Sequence, residues 1–134
     1  MESIAIDGVG LIGGSFGLAL REAGFQGAIL GVSSMGAVAE GIEVGAIDRG
    51  ATLDEALDTA SVLYLAQPIS KILEVIPQLS RARAGTLITD AGSTKAGIVE
   101  KARAAIHSAQ FLGGHPMAGK ETRGAKSAEA GLFR

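Results

Sequence analysis

The spacing Gly8-x-Gly10-x-x-Gly13 constrains this chain more than any other feature. It follows a short β-like run, Ile4 to Ile6, and opens a helical stretch from about Gly13 to Ala23. Glycines so spaced, between a strand and a helix, form the turn that binds a dinucleotide. Gly8 allows the tight turn, Gly10 lets the backbone approach a pyrophosphate, and Gly13 lets helix and strand pack closely. Leu11 and Ile12 lie between the last two glycines, where free N–H groups and the positive helix end favour phosphate. The loop therefore points to cofactor binding by Gly8, Gly10, Leu11, Ile12 and Gly13. Asp7 stands just before it, where an apolar strand residue is expected, and the local pattern offers no reason for the acid.

The rest of the chain alternates β-like runs with helical segments. Strands are expected at Ala28 to Val32, Ser61 to Ala66, Thr86 to Thr89 and Gln110 to Leu112. Helices are expected from Met35 to Val44, over Leu53 to Thr59, over Ala96 to Ile106 and over Gly124 to Leu132. One more carries Ile69, Ile72, Leu73, Ile76 and Leu79 on a single face, and Pro77 should bend or loosen it late. Gly24 and Gly45 read as helix stops. This alternation, without repeats or a linker, predicts an α/β chain: a Rossmann-type doubly wound parallel sheet forming one domain over residues 1–134.

Composition narrows the function. At 134 residues with 47% hydrophobic and 19% charged side chains, the chain is of single-domain size and globular. Its 20 glycines are about double the usual share, which suits close backbone approaches and tight turns. Aromatics are only 4%, so the core must be aliphatic. A net charge of -2 argues against nucleic acid as a partner. There is no cysteine, which excludes disulfides, thiolate metal sites and cysteine nucleophiles, and no metal site is expected. The longest apolar run, around Gly8 to Leu20, is too short to span a bilayer, and the acidic start does not read as a secretory signal. A soluble cytoplasmic protein with no membrane partner is the expectation.

The second strand should end in the residue that reads the adenine ribose, about 20 residues past the loop. Ser33 stands there, followed by Ser34. An acid would bond the ribose 2′-hydroxyl and repel a 2′-phosphate, whereas serine removes that repulsion and adds hydroxyls. The reading leans to NADP over NAD, although no arginine follows to clamp the phosphate. Ser33 and Ser34 as ordinary turn residues is the other reading.

Two further stretches follow strands: Asp90-Ala91-Gly92-Ser93-Thr94-Lys95, and Gly113-Gly114-His115-Pro116-Met117-Ala118-Gly119-Lys120-Glu121. In an open α/β sheet the ligand crevice lies outside the carboxyl ends of the strands, so both should face the cofactor. His115 is flanked by glycines and proline and not by an apolar helical face, which favours proton transfer over packing. Ser93 can cap the following helix and still sit close to the ligand.

Together, G-V-G-L-I-G-G-S, D-A-G-S-T-K, F-L-G-G-H-P-M-A-G-K-E and a closing A-x-x-G-L-F resemble the prephenate/arogenate dehydrogenases of tyrosine biosynthesis. The resemblance runs across the whole chain. It implies NAD(P)-dependent oxidative decarboxylation: hydride leaves the ring carbon that bears the hydroxyl, and loss of carbon dioxide aromatises the ring. By that resemblance His115 polarises the substrate hydroxyl and accepts its proton, and Ser93 bonds the same hydroxyl and orients the histidine. Glu121 matches an acid near the substrate side chain. Lys95 is a basic residue within the motifs, with a weaker claim to the substrate.

Family members continue into a C-terminal helical domain that makes a homodimer and supplies basic residues for the substrate carboxylates. This sequence lacks that domain and reads as a fragment, a truncated form or a degenerate copy. Two alternatives remain open: another hydride-transfer enzyme on the same fold, which leaves the histidine loop unexplained, and a non-catalytic NAD(P)-binding module.

Overall fold

The computed structural model of the chain describes residues 3–82, 86–90 and 110–112. The strands are β1 (Ser3–Asp7), β2 (Ala28–Val32), β3 (Arg49–Gly50), β4 (Val62–Leu65), β5 (Leu87–Asp90) and β6 (Gln110–Leu112). They form one sheet in the order β3-β2-β1-β4-β5-β6, and every pairing is parallel. The helices are α1 (Leu11–Glu22), α2 (Met35–Glu43), α3 (Leu53–Thr59) and α4 (Ile69–Val75). The chain winds outward from β1 to β3, then returns through α3 to lay β4 on the other side of β1. The doubly wound expectation is met, and the switch of direction falls between β1 and β4.

Alternation along the strands sorts the core onto two faces. Ala5, Leu30, Leu63, Leu65 and Ile88 face one side, packed with Ala56 and Leu57 of α3 and Ile72 of α4. Ile6, Ile29 and Tyr64 face the other, with Val9, Ile47 and, from α1, Ile12, Phe16 and Leu20. With few aromatics, aliphatic side chains carry this core, each contributing roughly 1.5–3 kcal/mol when fully buried. Phe16 and Tyr64 add an aromatic pair, stacked with ring centroids 4.1 Å apart.

Helix ends follow local chemistry. Gly24 and Gly45 adopt φ of +95° and +83° just past α1 and α2, as expected of helix stops. Arg21, in the last turn of α1, donates to the carbonyls of Phe25 and Gly27 and to Asp48, whose carboxylate also accepts the Ile29 N–H. That knot ties the end of α1 to the start of β2. The Thr52 hydroxyl caps α3 by accepting the Glu55 N–H, and Asp54 and Glu55 sit in its positive first turn.

Some expectations need adjustment. β3 is a sixth strand at the sheet edge: two residues long and polar, it has no apolar run to announce it. β1 reaches one residue further than the apolar run, so Asp7 is a strand residue. The helix expected through Leu79 stops at Val75 and tightens into a 3-10 turn over Ile76–Arg81. Pro77 causes this, since it lacks the N–H for the next α-helical bond and its ring crowds the preceding turn. The helices expected at Ala96 to Ile106 and Gly124 to Leu132 lie outside the described residues.

Candidate functional site

At the carboxyl ends of β1, β2 and β4 a cleft of about 280 Å³ opens. Gly8, Val9 and Gly10 line it after β1, Ser33 and Ala37 after β2, and Ala66, Gln67 and Pro68 after β4. Its volume is just under the ~300–1,000 Å³ of typical small-molecule sites. It sits at the switch point, where this sheet topology places its ligand.

The three glycines of the loop do three different things. Gly8 has φ of +100°, a conformation that L side chains rarely adopt. A Cβ on Gly13 would overlap the Gly8 carbonyl oxygen and lie 2.9 Å from Ile6 Cγ2, so glycine permits the close helix–strand approach. A Cβ on Gly10 would meet nothing within 4 Å. That opening lies directly before the first turn of α1. The first helical bond there runs from the Gly14 N–H to the Gly10 carbonyl, 2.8 Å. The helix itself therefore offers no acceptor to the N–H groups of Leu11, Ile12 and Gly13. Gly10 is the N-cap without a capping side chain, and no acid occupies the first turn. Donors, a positive dipole end and open space coincide, which fits a pyrophosphate.

Ser33 follows β2 directly and lines the cleft, where the spacing from the loop puts the ribose reader. No acid is among the described lining residues. The Ser34 hydroxyl accepts the Ala37 N–H at 3.2 Å and caps α2. Leu11, Ile12 and Gly13 form the first turn of α1 behind the loop. Ser93, Lys95, His115 and Glu121 lie outside the described residues. The strands that lead to them, β5 and β6, end on the same side of the sheet as the cleft. Asp90, the first residue of D-A-G-S-T-K, is the last of β5 and fully buried. Burial of the Tyr64 phenol, with the nearby Asp90 charge as a smaller cause, raises it well above the usual tyrosine range.

Sequence reasoning assigned nothing to Gln67 and left Asp7 unexplained. The structure brings them together across 60 residues, Gln67 Nε2 donating to Asp7 Oδ1 at 3.2 Å. The Asp7 carbonyl also accepts the Ala66 N–H at 2.8 Å. The signal for Gln67 was its place one residue past the apolar strand run of Ser61 to Ala66, at a strand's carboxyl end.

Asp7 is 4% exposed, and burial raises its carboxyl above the ordinary 3.8 despite the opposing Gln67 hydrogen bond. A carboxyl raised by folding binds more protons folded than unfolded in that window, so its contribution is fully present below pH 3.8 and is lost as pH rises through the folded value. Asp7→Asn removes this loss. The Tm of Asp7→Asn relative to the parent should therefore be flat below pH 3.8 and climb as pH rises above it through the raised folded value. Thermal unfolding across pH measures it, and a flat difference would contradict the burial argument.

Among the described residues, no helix is long and apolar enough to cross a membrane, and no group of three metal-ligating side chains gathers.

The comparisons agree with this geometry. Residues 16–134 match the family model described as prephenate dehydrogenase, nucleotide-binding domain. Over 99% of its length the chain is 39% identical to a prephenate dehydrogenase of Lactococcus lactis subsp. cremoris, and it spans 39% of that relative. The crystal structure of prephenate dehydrogenase from A. aeolicus, in complex with hydroxyphenyl propionate and NAD+, superposes with a TM-score of 0.91 and 31% identity, over 99% of this chain and 48% of that one. Synechocystis arogenate dehydrogenase superposes with a TM-score of 0.82 and 32% identity, over 95% of this chain and 45% of that one. The chain thus spans less than half the length of each of these proteins.

Proposed function

The chain belongs to the family of prephenate dehydrogenase nucleotide-binding domains, and from that premise we propose that it is the cofactor-binding part of an enzyme that oxidatively decarboxylates prephenate or arogenate. The observation that carries the reading is the open space at Gly10 before the uncapped, acid-free N-terminus of α1. When bound there, the nicotinamide cofactor would supply the hydride acceptor. The protein's contribution is positioning and electrostatics. His115 accepts the proton of the substrate hydroxyl as a carbonyl forms, and Ser93 bonds that hydroxyl and orients the imidazole. Glu121 is assigned to the substrate side chain, and Lys95 has a weaker claim to the substrate. The motif resemblance supports the roles of His115, Ser93 and Glu121. The substrate carboxylates are held by groups beyond this chain in the full-length enzyme, which is a cytoplasmic homodimer in this reading.

Both substrates stay within the proposal, since one relative is a prephenate dehydrogenase and another structure an arogenate dehydrogenase. For the cofactor, Ser33 in a cleft where no acid is among the described lining residues supports NADP. Against it, the A. aeolicus complex contains NAD+. Calorimetric titration with NADPH and NADH tests the reading. NADPH is expected to bind at least as tightly as NADH. A clear preference for NADH overturns the NADP assignment, and binding of neither overturns the cofactor site.

A further inference from the structure

Gln67 lines the cleft with Asp7 buried against it, and neither the glycine loop nor the family motifs account for the pair. We propose that Gln67 hydrogen-bonds the ribose on the nicotinamide side of the pyrophosphate, and that Asp7 is the positioning residue that holds its carboxamide. The inference rests on the cofactor reading given above and names a contact within that site.

The order of the strand ends carries the argument. Across the sheet, β2, β1 and β4 are neighbours in that sequence, presenting Ser33, the glycine loop and Gln67 in turn. A dinucleotide is linear in the same sense: adenine ribose, pyrophosphate, second ribose. With the first at Ser33 and the second at the N-terminus of α1, the next group along the ligand reaches the end of β4. Gln67 is half-buried there and packs against the first glycine of the loop. A Cβ on Gly8 would come within 2.7 Å of Gln67 Cγ and 2.9 Å of its backbone nitrogen, so the side chain occupies the space that glycine leaves.

The chemistry of the amide selects the ligand group. An ionised carboxylate only accepts, so the Gln67 end facing Asp7 must be Nε2, as the 3.2 Å contact has it. With one amide hydrogen committed to Asp7, the second hydrogen and Oε1 remain. A donor beside an acceptor matches ribose hydroxyls, which do both, whereas phosphate oxygens accept only. Asp7 itself is anchored. It is a buried residue of the central strand, and its carbonyl accepts the N–H of Ala66, the residue before Gln67. The carboxylate thus sits under the start of the β4 turn and fixes which end of the amide is turned to the cleft.

The test compares ADP, which ends at the second phosphate, with ADP-ribose, which adds the second ribose, and with NADPH. Calorimetry is run on the parent, Gln67→Met, Asp7→Leu, Asp7→Asn and the Gln67→Met/Asp7→Leu double variant, with thermal unfolding as the check on folding. Gln67→Met should weaken ADP-ribose and NADPH about three- to tenfold, the worth of one neutral hydrogen bond, and leave ADP unchanged. Asp7→Leu should show the same ribose-selective loss, with nothing further lost in the double variant. Asp7→Asn keeps an oxygen for Nε2 and should bind like the parent. Should Asp7→Leu fail to fold, Asp7→Ser, too short to reach Nε2, carries the same expectation. Parental binding of ADP-ribose by Gln67→Met overturns the proposal, and so does an equal loss of ADP. Additive losses in the double variant overturn the positioning role of Asp7. A parent that binds none of the three ligands refutes the cofactor site itself, a distinct outcome.

Discussion

Replacing His115 by Asn in a full-length enzyme carrying this domain is expected to cut turnover by about a hundred- to ten-thousand-fold, the range that general-base catalysis supplies. Cofactor affinity should stay nearly parental, because in the proposed role the imidazole acts on the substrate hydroxyl and not on the dinucleotide. The parent's rate should fall as pH drops through the imidazole pKa, since only the neutral ring can accept the proton. That limb of the profile should vanish in His115→Asn. Ser93→Ala should lower the rate in the same direction by less, because the role proposed for Ser93 is to orient the base without taking the proton. Turnover against pH for the parent and both variants, with cofactor affinity beside it, measures these effects. Near-parental turnover of His115→Asn would refute the catalytic role, and loss of cofactor binding would recast His115 as a structural residue.

The glycine loop yields an equally large effect, and its two ends separate binding from folding. Gly10→Val should weaken dinucleotide binding by at least about 100-fold, equivalent to roughly 2.7 kcal/mol. Its side chain would enter the open space before α1, where a Cβ meets no protein atom within 4 Å. The domain should still fold, losing about 1 kcal/mol because valine is a poor N-cap. Gly13→Val should do the reverse. Its Cβ would overlap the backbone oxygen of Gly8, which cannot swing aside as a side chain can. The cost should be at least about 3 kcal/mol, roughly a 10 °C or larger fall in Tm for a domain of this size. Thermal unfolding with and without NADPH reads both: the parent melts higher with ligand, Gly10→Val melts near the parent without ligand and gains nothing from it, and Gly13→Val melts far lower. A Gly10→Val protein that still gains thermal stability from NADPH would remove the pyrophosphate from that place.

Much of this protein is encoded locally, and those parts were legible in its sequence. Strand and helix periods repeat within a few residues, so β1, β2, β4 and the apolar face of α4 could be read directly. Gly24 and Gly45 marked the helix stops because αL backbone favours glycine whatever surrounds it, and Pro77 marked the end of α4 because its missing N–H acts within one turn. The spacing of Gly8, Gly10 and Gly13 implied a phosphate cradle for the same reason: strand, turn and helix start are contiguous. Tertiary structure alone decided the rest. β3 exists only because Arg49 and Gly50 come to lie beside Leu30 and Gly31, and no apolar pattern in two polar residues announces that. Ser34 looked equivalent to Ser33 in the sequence, yet the start of α2 turned its hydroxyl into a cap and left Ser33 to line the cleft. Asp7 was an acid without a partner until parallel pairing of β1 with β4 set it against Leu65 and brought Gln67, 60 residues later, over its carboxylate. Strand order and register arise from backbone hydrogen bonds between distant segments, and a buried side-chain pair is defined only once they have formed.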